Sequence, residues 1–121
     1  MADQALTITP EVLRHLSALR SEPKFCEENL YPGAPTEEVR LSAERAVNMM
    51  LDRLRVGLTE LPRKSYVLSE FLEMLNAFEG YDTEEREQAC TYCERVMEIL
   101  GIENSDGALN TWLYGFDPEK P

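Results

Sequence analysis

One histidine, one tryptophan and three cysteines are all that this 121-residue chain holds of the scarcer reactive and aromatic residue types. A lone His15 leaves no Ser-His-Asp set except through itself, and no G-x-S-x-G, H-E-x-x-H or Walker loop occurs. The six glycines, at 33, 57, 80, 101, 107 and 115, are too dispersed to cradle a phosphate. Positive charge is also scarce: 12 Lys and Arg stand against 23 Asp and Glu, a net charge of −11. Such a balance argues against nucleic acid and anionic membrane as partners, because both require clustered cations that displace counterions. Long apolar runs are missing as well. The longest, Val47 to Leu51, is already interrupted by Asn48, far below the ~20 residues of a membrane span. The start has neither a basic n-region nor an apolar h-region, and an odd number of cysteines fits a reducing compartment, so the expected location is the cytoplasm.

What the chain has in quantity is helical periodicity bounded by caps. Thr9-Pro10-Glu11 combines a capping hydroxyl, a proline where its missing N–H costs nothing and an acid beside the positive end of the helix dipole. Val12, Leu13, Leu16 and Leu19 follow at helical spacing. Thr36-Glu37-Glu38 repeats the signal ahead of Val39, Ala43, Val47, Met50 and Leu54. After Leu61-Pro62, the apolar positions Tyr66, Phe71, Leu75 and Phe78 mark a third helix, closed by Gly80 in a left-handed cap. Asp82 with Glu85 reads as a capping box for a fourth, whose buried stripe is Ala89, Cys93, Val96, Met97 and Leu100. Ser105-Asp106 starts a short last helix through Trp112.

The expected helices span about residues 10–20, 37–60, 63–79, 83–100 and 106–114. Between the first two, Phe25, Leu30 and Tyr31 are too apolar for a free loop and suggest a short helix after Pro23, pinned down by those side chains. No segment alternates with period two, and no hairpin signal stands between apolar runs. The expected fold is an all-α, single-domain bundle of four main helices plus a short C-terminal helix, with consecutive long helices antiparallel.

Three stretches together, Asp82 to Glu94, Ile99 to Gly107 and Asn110 to Pro118, resemble the C-terminal block of an uncharacterised family of small bacterial all-helical domains. The resemblance implies a bacterial, helical, single-domain protein. It assigns no activity, and no functional residue is carried over from it.

Cys90-Thr91-Tyr92-Cys93 is a C-x-x-C that, with Cys26 and His15, has the donor types of a zinc set. A second C-x-x-C is absent, and Cys90 falls about two turns into its helix, away from the N-terminal position that activates redox thiols. Small buried side chains are the plainer reading, and no cofactor is expected. Carboxylate pairs at Glu70/Glu73 and Glu84/Glu87 have the i, i+3 spacing by which all-helical nucleotide pyrophosphohydrolases hold Mg²⁺. Their E-E-x-x-E motif is incomplete here, since Gln88 follows Glu84-Glu85. Gly57, inside the second helix, costs about 1 kcal/mol there relative to Ala and points to close packing or a kink.

Charge is unevenly divided. Residues 1–65 carry 10 acids and 9 bases, whereas residues 66–121 carry 13 acids and 3 bases. A face this acidic suits a partner with a basic surface. The favoured function is accordingly an acidic protein-binding module, most concretely an immunity or inhibitor protein that occludes the basic active-site surface of a toxin or effector. Candidate contacts are Glu70, Glu73, Glu79, Asp82, Glu84, Glu85 and Glu87, with Tyr114 and Phe116 as aromatic anchors. The alternatives are a Mg²⁺-dependent hydrolase of the pyrophosphohydrolase type and a secretion chaperone.

Overall fold

The computed structural model describes residues 3–116. Five α-helices appear in it: α1 (Pro10–Ser21), α2 (Glu37–Gly57), α3 (Lys64–Leu75), α4 (Thr83–Leu100) and α5 (Ala108–Tyr114). They form an all-α bundle in which α2 packs against α1 and α3, while α4 closes the core against all three and receives α5. The strand-like elements among the described residues are two isolated bridges, Ala5 with Arg63 and Glu28 with Tyr31.

Local chemistry sets most helix ends. The Thr9 hydroxyl accepts from Val12 N at 3.1 Å and the Thr36 hydroxyl from Val39 N at 3.1 Å, satisfying N–H groups that a helix start leaves without partners. α3 has no cap of its own. An N-terminal arm serves instead, with the Asp3 carboxylate accepting from Ser65 N at 2.9 Å while Leu6 N donates to Pro62 O at 2.8 Å. Gly101, at φ 75°, ends α4 in the left-handed conformation.

Several ends differ from the sequence expectation. α2 stops at Gly57 rather than at 60, and α3 tightens after Leu75 into a single 3-10 turn, Asn76–Phe78, so that Gly80 does not enter the left-handed region. Asp82 stands at the N-cap of α4, yet its side chain makes no capping bond, and the reciprocal half of the expected box is missing because the Glu85 side chain is turned into the core. α5 starts at Ala108, with Gly107 at φ 83° as its N-cap; Ser105 still caps from outside, its hydroxyl accepting from Leu109 N at 3.2 Å. Trp112 and Leu113 are half-buried against the core, and the Arg86 guanidinium lies 4.9 Å from the Trp112 ring centroid.

Leu16, Val47, Leu51, Leu54, Val67, Phe71, Leu75, Phe78, Cys93 and Val96 are fully buried and form the centre of the core. Gly57 has a packing role. A Cβ there would stand 1.9 Å from the Tyr66 hydroxyl, which donates to Arg53 O at 3.1 Å across the α2–α3 contact.

Candidate functional site

Residues 22–35, expected to hold a short helix, instead form a strap laid across α4. Its path is fixed by buried groups arriving from distant parts of the chain. Phe25 is fully buried among Phe78, Tyr92 and Tyr31, with ring centroids at 5.6, 5.2 and 6.4 Å. Its backbone sits at φ 61°, a conformation that costs a bulky residue about 1–3 kcal/mol and that persists only where surroundings over-determine it. Here Phe25 N donates to the Tyr92 hydroxyl at 3.1 Å, and Phe25 O accepts from Ala34 N at 3.0 Å. Gly33, at φ 89°, lets the strap fold back on itself, since a Cβ there would lie 3.0 Å from Glu27 N.

Lys24, next to Phe25, anchors the start of the strap. Fully buried, its ammonium donates to Arg20 O at 3.1 Å and Glu22 O at 2.9 Å, carbonyls at the exposed end of α1. Burial pushes the amine down to about 8, partly opposed by Glu44 and Glu22. Glu22 is held in turn by both Arg95 nitrogens at 3.0 and 2.8 Å, which lowers its own proton affinity.

Beyond these anchors the strap turns outward. Glu28 and Tyr31 exchange backbone hydrogen bonds of 3.0 and 2.8 Å, closing a two-residue turn whose first residue, Asn29, takes φ 51°. Leu30, at the tip, is wholly exposed, although the sequence placed it among the pinned-down side chains. Tyr31 points the opposite way and donates to Glu85 Oε2 at 2.9 Å. Burial first, and the Glu85 carboxylate second, hold the Tyr31 hydroxyl well above its ordinary range.

This geometry leaves a groove of about 380 Å³ between the turn and the first half of α4. Glu28, Asn29, Leu30 and Pro32 form one wall; Glu84, Glu87, Gln88 and Thr91 form the other. The groove therefore sets an exposed leucine beside three carboxylates, on a strap whose Phe25 and Tyr31 are buried in the core.

The acids expected on one face are divided by the fold. Glu84 and Glu87 are exposed and line the groove. Glu79 and Asp82 are exposed at the α3–α4 connection, Asp82 beside a smaller cavity of about 300 Å³ that it shares with Glu38, Tyr81 and Glu85. Glu70 and Glu85 are buried. Glu70 and Glu73 share one guanidinium, Arg53, at 2.9 and 3.1 Å, each through one carboxylate oxygen, with Glu70 buried and Glu73 exposed. Tyr114 and Phe116 are exposed at the end of α5 but do not line the groove.

Two of the three cysteines pack in the core. Cys90 and Cys93 are buried, and burial pushes the Cys90 thiol up to about 12 and the Cys93 thiol well above its ordinary value. Cys26 is exposed on the strap, as is His15 on α1. Among the described residues, no three His, Cys, Asp or Glu side chains are grouped so as to hold a metal ion.

The model of a domain of unknown function, DUF4844, matches residues 7–117. The chain belongs to that family. Among solved structures, this DUF4844 domain is similar to a DUF3571 family protein from Acinetobacter baumannii AYE, with a TM-score of 0.75 and 29% identity over 87% of this chain and 89% of that one. Comparison with curated proteins finds no match. The family match covers the strap and the groove as well as the C-terminal block up to Asp117; Asp117 and Pro118 of that block lie outside the described residues. Among the described residues, no helix of this DUF4844 domain is long and apolar enough to cross a membrane.

Proposed function

We propose that this protein is an acidic protein-binding module whose groove between the strap and α4 docks a basic protein surface. The observation that carries the reading is Leu30, wholly exposed at the tip of a turn closed by two backbone hydrogen bonds, with Glu28, Glu84 and Glu87 around it. A rigid apolar tip supplies the desolvated anchor that interfaces rely on, and the surrounding carboxylates steer a cationic partner and exclude others. Preorganisation adds to this, since the turn is already ordered and loses little entropy on docking. The most concrete form is an immunity or inhibitor protein that covers the basic active-site surface of a toxin or effector, acting in the cytoplasm, where its three cysteines stay reduced.

Photocrosslinking tests the reading. A photoreactive residue at position 30 in native lysate should trap a protein with a basic contact face. A control at Leu61, exposed between α2 and α3, should not trap it, and Glu84→Lys/Glu87→Lys should abolish the position-30 product. Equal trapping from both positions, or a contact face that is not basic, contradicts the proposal.

A further inference from the structure

The exposed side of α2 carries a self-complementary stripe, and we infer that it is the contact between two copies of this chain. At about 100° per residue, Leu41, Asp52, Arg45, Val56 and Met49 fall within roughly 80° of one another on the helix, opposite the buried positions Ala43, Val47, Leu51 and Leu54. Three of the five are large apolar side chains in water: Leu41 at 45%, Met49 at 54% and Val56 at 76% exposure. Amphipathic surface helices place polar residues there, so a stripe of this kind marks an interaction surface.

Charge identifies the occupant. α2 holds four acids and four bases, whereas residues 66–121 hold 13 acids and 3 bases. In a protein of net charge −11, α2 is thus a neutral face through which a second acidic copy can approach without strong repulsion. The order of residues fits a two-fold contact. With two α2 helices antiparallel about an axis passing between Asn48 and Met49, Leu41 lies opposite Val56 of the second copy and Arg45 lies opposite Asp52 of the second copy. The same pairs repeat on the other side of the axis, as an isologous interface requires. Arg45 is exposed and makes no ion pair among the described residues. Asp52 is half-exposed; Arg20 reaches its two oxygens at 3.1 and 3.4 Å and Arg55 stands at 3.7 Å, so Arg45 of the second copy would join an existing surface ion-pair cluster. The resulting dimer leaves both strap grooves free, so this inference stands apart from the proposed function.

Sedimentation equilibrium from micromolar to millimolar chain concentration tests it. The wild-type chain should approach twice its 13.9 kDa mass at the upper end. Met49→Glu and Val56→Glu, both solvent-facing, should stay at the monomer mass with unchanged melting temperatures. Arg45→Asp alone and Asp52→Arg alone each set like charges opposite one another and should also be monomeric. When these two variants are mixed in equal amounts, each facing pair of positions 45 and 52 joins a carboxylate of one chain to a guanidinium of the other, and the mixture should recover the dimer. Asp52→Arg also removes the tie to Arg20, so its thermal melt is read alongside; the Met49 and Val56 variants test the face independently. A wild-type chain that remains monomeric throughout, assembly that survives Met49→Glu and Val56→Glu, or folded charge variants that stay monomeric when mixed would overturn the inference.

Discussion

Replacing Tyr31 by Phe removes one hydroxyl from the strap and leaves its ring against Phe25, so the substitution isolates the bond to Glu85. Glu85 is only 3% exposed, and the Tyr31 hydroxyl is its hydrogen-bond partner at 2.9 Å. A hydrogen bond to a charged group contributes about 1.5–3 kcal/mol, and a buried carboxylate left without its donor bears the full desolvation penalty. Tyr31→Phe should therefore lower the unfolding free energy by about 2 kcal/mol. For a chain of this length that corresponds to a fall of roughly 10 °C in melting temperature. Urea denaturation followed by circular dichroism measures it, with an unchanged m-value expected because the fold stays intact. Glu85→Leu in the Tyr31→Phe background should recover part of the loss, since removing both partners leaves no unsatisfied charge, and the double-mutant cycle should give a coupling of about 1 kcal/mol or more. A Tyr31→Phe variant within about 0.5 kcal/mol of wild type, or strictly additive effects, would refute the argument that this bond ties the strap to α4.

Gly57→Ala would gain about 1 kcal/mol of helix propensity in open space. Here the new methyl meets the Tyr66 hydroxyl at 1.9 Å, so the net result should be a loss of about 1–3 kcal/mol, reversed to a gain when Gly57→Ala is compared within a Tyr66→Ala background. Chemical denaturation of the four proteins checks the sign. Lys24 gives a pH dependence. Its amine titrates near 8 in the folded chain against an ordinary 10.5, so between those values the unfolded chain holds a proton that the folded chain has released, and stability rises with pH. The contribution is complete above 10.5 and is lost as pH falls through about 8. The unfolding free energy of wild type minus that of Lys24→Met should rise across this window, a comparison that cancels the tyrosine and cysteine titrations common to both.

Helix starts and stripes were legible because they are local: Thr9 and Thr36 each cap an N–H three residues ahead, and the buried positions of α2 and α4 repeat at helical spacing. The strap was not legible, because Phe25 is fixed by rings from residues 31, 78 and 92 and by a left-handed backbone that sequence periodicity does not encode. Glu85 has the spacing of a capping-box acid relative to Asp82, yet a tyrosine 54 residues away takes its carboxylate. Charge counting found Glu84 and Glu87 but grouped them with Glu70, whose spacing does not distinguish a solvated acid from one turned toward Arg53. Leu30 escaped because an apolar residue close to Phe25 and Tyr31 reads as core, and Glu28 because nothing in the periodicity marks an acid within a connector. Asn29, a residue tolerant of positive φ, was the available signal for an outward turn.

The most direct test of the central claim is the affinity of the partner trapped at position 30 for wild type and for Glu84→Lys/Glu87→Lys, each measured at low and high salt. If the acidic groove steers and seats a basic surface, the variant should bind at least about tenfold more weakly at low salt, a difference of about 1.4 kcal/mol, and the two proteins should converge as salt rises. Equal affinities at low salt, with both proteins folded, would contradict the account.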